Sequence, residues 1–77
     1  MTVDITSPSK TLFSGNASLL KLPGVDGLFE ILENHASIVA ALTKGKVKII
    51  SEEEIIFLEI NGGVVEVLKN NVHVLTE

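Results

Sequence analysis

Thr2 to Thr6 places Val3 and Ile5 on one side of an extended chain and Thr2, Asp4 and Thr6 on the other. Alternation with period two marks a half-buried β-strand, and it recurs along most of the chain. Ser7-Pro8-Ser9-Lys10 breaks the first run, since proline donates nothing to a ladder and favours turns. Thr11 to Phe13 resumes extended structure, and Ser14-Gly15-Asn16 reads as a second interruption. Ala17 to Leu22 follows as a strand, with Ser18, Leu20 and Leu22 on one side. Pro23-Gly24 and Asp26-Gly27 are both turn signals and together predict a tight reversal. Leu28 to Leu32 is the next strand, with Phe29 and Ile31 on one face and Leu28, Glu30 and Leu32 on the other; if Phe29 and Ile31 point inward, alternation turns Leu28 outward.

Glu33-Asn34-His35 forms a polar corner. In Ser37 to Leu42 the alanines favour helix while Ile38 and Val39 favour strand. The segment is too short to support itself as a helix and is read as extended. Thr43-Lys44-Gly45 is a turn, and Lys46 to Ser51 a strand with Val47 and Ile49 sharing a face. Glu52-Glu53-Glu54 reads as a solvated loop. Ile55 to Asn61 is apolar on both faces, which predicts a central or covered strand. Gly62-Gly63 and Asn70-Asn71 are hairpin signals that delimit strands at Val64 to Lys69 and Val72 to Thr76.

About eight short strands at regular spacing, with no convincing helix of ten residues, predict an all-β fold. Its architecture is an antiparallel β-sandwich or barrel-like roll filling a single domain, residues 1–77. Cysteine is absent, which removes disulfides and Cys-based zinc sites and fits a cytoplasmic residence. No basic start followed by an apolar core, as in a secretory signal, is visible. Net charge is −4, all six basic residues are lysines, and the aromatics are three phenylalanines. A nucleic-acid binder needs a basic stripe with stacking aromatics, so that class is set aside.

Catalytic equipment is not legible. There is no G-x-S-x-G elbow, and the serines have no base at a recognisable spacing. His35 and His73 begin no metal-ligand pattern. Gly24-Val25-Asp26-Gly27 lacks the G-K-S/T of a phosphate loop. The residues therefore predict no catalytic, metal or cofactor site and point to a binding or structural module. Leu28, turned outward beside a turn and a polar corner, is the candidate contact residue.

One ordered set of residues goes further. Leu12-Phe13-Ser14-Gly15, Leu22-Pro23-Gly24 with Gly27, Phe29 with Ile31-Leu32, His35-Ala36, Leu42 with Gly45, Val47 and Ile49, Gly62-Gly63 with Glu66-Val67, and Asn71 with Val74-Leu75 stand in a characteristic order. The set resembles the epsilon subunit of F-type ATP synthases, whose mitochondrial counterpart is called delta. The resemblance runs from Val3 to Glu77.

It implies a non-catalytic rotor subunit at the foot of the central stalk of a proton-translocating enzyme. Such a subunit binds gamma, rests on the membrane ring of c subunits and transmits torque. It is peripheral to the cytoplasmic face of a bacterial inner membrane. By the same resemblance Gly27, Leu28, Phe29, Glu30, Ile31 and Leu32 are expected against the c-ring, and His35 near gamma.

The chain departs from the family pattern at Glu30, where glycine is usual, and at Glu33-Asn34, where Pro-Gly often stands. It departs again at Ser37, where a proline commonly follows His-Ala. Leu28 occupies a position that is acidic in many relatives, so the ring contact is expected to be apolar here. The helical hairpin that usually follows the β-domain is expected to be absent. The alternative is a free-standing β-sandwich binding module for a peptide or a sugar, which the lack of Trp and Tyr makes a poor sugar platform.

Overall fold

Nine strands follow one another in the computed structural model, which describes residues 1–77: β1 (Thr2–Thr6), β2 (Thr11–Asn16), β3 (Leu19–Gly24), β4 (Gly27–Leu32), β5 (Ile38–Leu42), β6 (Gly45–Ile50), β7 (Ile55–Ile60), β8 (Gly63–Leu68) and β9 (Asn71–Thr76). The sheet runs β2-β1-β9-β8-β5-β3-β6-β7, with β4 on the free side of β3. Five strands therefore lie on one side of a corner and four on the other. The corner is the single pair Gly24–Leu42. The sheet curls there, and the apolar faces of its two halves meet. Val3, Ile5, Val65 and Val74 come from one half, and Leu20, Leu22, Ile31 and Ile49 from the other, in one continuous core. Burying each such side chain contributes roughly 1.5–3 kcal/mol of transfer free energy.

The all-β sandwich expectation holds, with one strand more than about eight. Four local readings are corrected. Ser14-Gly15-Asn16 is not an interruption, because Gly15 pairs with Val3 inside the β1–β2 ladder. The irregularity lies opposite, between Ile5 and Thr6, where Phe13 and Thr11 are the successive partners and Leu12 is the extra residue of a bulge. Pro23 and Gly24 belong to β3, and the reversal is made by Val25-Asp26 alone. The Pro23 carbonyl accepts a 2.8 Å bond from the Thr43 N–H. The proline nitrogen faces that same side, where the ladder passes from β6 to β5, so no strand bond is lost.

The third correction concerns Asn70-Asn71. The β8–β9 turn is Lys69-Asn70, both at positive φ (49° and 64°), as a type I′ hairpin requires. The fourth concerns Ile55–Ile60, which is neither central nor covered. β7 is the end strand of the sheet, and Phe57 is 55% exposed. One pairing also departs from the antiparallel rule: β1 lies parallel to β9, with Val3 beside Val72 and Ile5 beside Val74.

Candidate interaction face

The β3–β4 hairpin is built by its alternation. Leu20 and Leu22 on β3 and Ile31 on β4 are fully buried, which forces Leu28, Glu30 and Leu32 to the other side. Gly27 opens β4 at φ 126°, a conformation that favours glycine, and meets open space. Leu28 is 67% exposed. Of the six residues expected at the ring, Gly27, Leu28, Glu30 and Leu32 are therefore available at a surface. Phe29 is half-buried on the core side. Ile31 is 0% exposed and acts from beneath, fixing the strand.

The outer side of β4-β3-β6-β7 continues this surface. Leu32, Leu19, Ile50 and Ile55 make one row across the four strands. Glu30, Lys21, Lys48 and Phe57 make the next. Leu28, Leu32, Ile55 and Phe57 are all more than half exposed, so half of the eight large exposed apolar residues lie on this one face. Sequence reasoning found Leu28 and missed Ile55 and Phe57. Their signal was present in the two-sided apolarity of Ile55–Ile60, which marks a strand whose second face needs cover of some kind.

His35 lies at the other end of β4 from Gly27, separated by a strand of six residues, or about 17–20 Å. It is half-buried, and its ring Nδ1–H donates to the Ala36 carbonyl at 2.7 Å. The corner before it is tied down by contacts that local sequence does not reveal. The Asn34 N–H donates to Asn70 Oδ1 at 2.8 Å, and Asn70 Nδ2 donates to Glu33 Oε2 at 3.1 Å. The buried N-terminal ammonium donates to the Ala17 carbonyl at 3.1 Å and also to Glu33 Oε1. Asn34 takes a left-handed φ of 61°, which asparagine tolerates.

These donors hold the Glu33 carboxyl below its ordinary value of 4.5. The ammonium hydrogen bond contributes most and the Asn70 amide next, against a smaller opposing effect of burial. A carboxylate with a lowered folded pKa stabilises the fold above its unfolded pKa, and that contribution disappears as pH falls through the folded value. Glu33→Gln is therefore expected to lower the melting temperature at pH 7. The gap to the parent should close as the pH is taken from neutral down through the lowered pKa of Glu33. Thermal melts across that range check it. A gap that stayed constant with pH would assign the effect to shape rather than charge.

The remaining candidates stay apart. His73 is exposed on β9, with Nδ1 3.8 Å from Asp4 Oδ2. No cluster of three His, Asp or Glu side chains is disposed to hold a metal ion. Glu52, Glu53 and Glu54 form the exposed β6–β7 turn. The arrangement can present apolar and lysine side chains to another surface.

The comparisons with known proteins agree with one another. The family described as the ATP synthase delta/epsilon chain β-sandwich domain matches residues 1–77. The ATP synthase epsilon chain of Chlorobium limicola is 42% identical over 76 residues, covering 97% of this chain and 86% of that one. The epsilon chain of Leptospira interrogans is 40% identical over 75 residues, covering 97% of this chain and 59% of its own length. Among solved structures, the mitochondrial ATP synthase central stalk and c-ring of Tetrahymena thermophila contains a chain that superposes with a TM-score of 0.85 at 18% identity. That match covers 97% of this chain and 61% of the other. A chain of the Euglena gracilis mitochondrial enzyme gives 0.89 at 18% identity, covering 96% and 48%. The structural likenesses establish the shared fold, and the sequence matches establish descent: this chain belongs to the β-sandwich family of ATP synthase delta and epsilon chains, accessory rather than catalytic subunits of that enzyme.

Proposed function

We propose that the chain is a non-catalytic rotor subunit of a proton-translocating F-type ATP synthase. In this reading it joins the gamma subunit to the c-ring and transmits torque between them. The observation that carries the reading is the exposed outer side of β4, continuous with β3, β6 and β7, in a family whose solved relatives include chains of central stalk and c-ring assemblies. Gly27, Leu28, Glu30 and Leu32 supply the ring contact, braced from beneath by Phe29 and Ile31, and His35 faces gamma at the far corner. No helix of this chain is long and apolar enough to cross a membrane. Its place at the cytoplasmic face of a bacterial membrane would come through these partners.

Affinity purification from detergent-solubilised membranes tests the assignment. Gamma and the c-ring should be recovered with the chain, and recovery of neither would overturn it. Leu28→Asp tests the contact itself. A carboxylate forced into a desolvated apolar contact costs a few kcal/mol. Proton-coupled ATP synthesis in membrane vesicles should fall about tenfold or more, while the isolated chain keeps its melting temperature because Leu28 is exposed. Unchanged coupling would remove Leu28 from the ring contact. The alternative of a free-standing peptide-binding module predicts saturable ligand binding by the isolated chain and no stalk partners.

A further inference from the structure

Four of the six lysines, Lys21, Lys44, Lys46 and Lys48, line one open depression together with Leu28 and Phe57. This concentration occurs in a chain of net charge −4. Lys21 and Lys48 stand directly opposite each other on neighbouring strands, a like-charge pairing that disfavours the sheet. Glu30 stands opposite Lys21 and Glu59 opposite Lys46, yet no lysine lies within ion-pair distance of a carboxylate. Lys46 instead lies 5.4 Å from the centre of the Phe57 ring. Lys21 and Lys48 are half-buried, and neither amine has a carboxylate partner within the chain.

We propose that this lysine-lined depression receives an acidic segment of a partner protein. Its carboxylates would lie between Lys21 and Lys48, and its apolar side chains against Leu28 and Phe57. The proposal rests on the rotor reading only in taking the partner from the same assembly. It adds the chemistry of the segment that this face recognises.

The observations favour a protein chain over a membrane. The lysines line a recess between strands and turns, which an extended segment can enter and a flat lipid surface cannot. The opposite end of the same layer carries Glu33 and Glu52 to Glu54 around a second, acidic depression, which an anionic bilayer would repel. Nucleic acid is disfavoured by the single exposed aromatic on this face, since strand binding uses successive stacking platforms.

The test compares the parent chain with Lys21→Glu/Lys48→Glu, with Lys21→Arg/Lys48→Arg, and with Lys10→Glu/Lys69→Glu as a charge-matched control away from the depression. Each is purified through a tag on the chain from solubilised membranes, after circular dichroism has established its fold. The Lys21/Lys48 reversal should lower recovery of the complex about tenfold, since like charge across an interface is strongly unfavourable. The arginine variant and the control should match the parent.

A second arm adds a synthetic peptide of alternating glutamate and leucine to the isolated chain, and separately vesicles of phosphatidylglycerol and phosphatidylcholine. Amide resonances of Lys21, Lys48 and Phe57 should shift with the peptide, and about 0.5 M salt should abolish the shift. Parent-like recovery of the Lys21/Lys48 reversal, or binding to vesicles without binding to the peptide, overturns the proposal. If the parent itself recovers no stalk subunit, the rotor reading fails, and the peptide arm still decides this one.

Discussion

Gly63→Ala is expected to remove about 2–6 kcal/mol of stability, a strained φ and a backbone clash acting together. Gly63 sits between β5 and β9, paired with Leu42 on one side and Thr76 on the other, at φ 145°. A Cβ at this position would lie 2.1 Å from the Leu75 carbonyl oxygen, which is backbone and cannot swing away. The disfavoured φ costs about 1–3 kcal/mol, and forcing neighbouring strands apart costs a similar amount. A chain of this size has on the order of 4–12 kcal/mol of stability. At roughly 4–8 °C per kcal/mol, the melting temperature should fall by about 15 °C or more. Gly27→Ala supplies the contrast. Its φ is also positive, 126°, but nothing lies within 4 Å of an added Cβ. It should lose only the backbone contribution, about 1–3 kcal/mol, without the clash. Equal losses in the two variants would show that the clash at Leu75 is relieved by local movement.

Leu20→Ala should have the second largest effect. Leu20 is the middle of a row, between Ile31 on β4 and Ile49 on β6, and all three are fully buried. Truncation removes the side chain on which β4 rests and leaves a hole bounded by two β-branched residues that cannot readily swing to fill it. The expected loss is about 3 kcal/mol, within the ~2–5 kcal/mol range of such substitutions. Urea unfolding should show a lower midpoint with an unchanged slope. Leu28→Ala, two-thirds exposed on the opposite face of the same hairpin, should stay within about 0.5 kcal/mol of the parent. A Leu20→Ala loss as small as that of Leu28→Ala would mean that the two layers close over the cavity.

The inward faces of this fold are legible residue by residue. Val3 and Ile5, Leu20 and Leu22, and Val47 and Ile49 were each placed on a shared face by alternation, and all six are buried. A period of two is imposed by each strand alone and needs no knowledge of its neighbours. What alternation cannot carry is order. Ile55–Ile60 reads as central because both its faces are apolar, and the same pattern also describes an edge strand whose outer face is left for a partner. Pro23-Gly24 has turn chemistry, but a proline is tolerated in a strand wherever its missing N–H has no ladder to serve, and that depends on β5 and β6. Gly15 reads as a break until β1 is seen to run past it. The anchoring of the His35 corner depends on Asn70, far along the chain, so Glu33-Asn34 looked like an isolated departure from the family pattern. Within the candidate face, Leu28, Glu30 and Leu32 were placed on the correct side of β4 by the same alternation that buries Ile31.

The parallel pairing of β1 with β9 bears on how the chain reaches its native state. β1 can pair early with β2, where Val3 meets Gly15 and Ile5 meets Phe13, but the other side of its ladder is filled only by β9, with Val3 beside Val72 and Ile5 beside Val74. The hairpins β3–β4 and β6–β7 join strands close in sequence, and with the β3–β6 ladder they can assemble the layer that carries the candidate face earlier. Closing the long β1–β9 loop requires chain entropy to be lost before the contacts form, which slows folding. Until then the apolar side of the early layer stands open. The β1–β9 pairing thus acts as the final latch of the domain, and the protein should be most vulnerable to proteases and to self-association in the interval before β9 arrives.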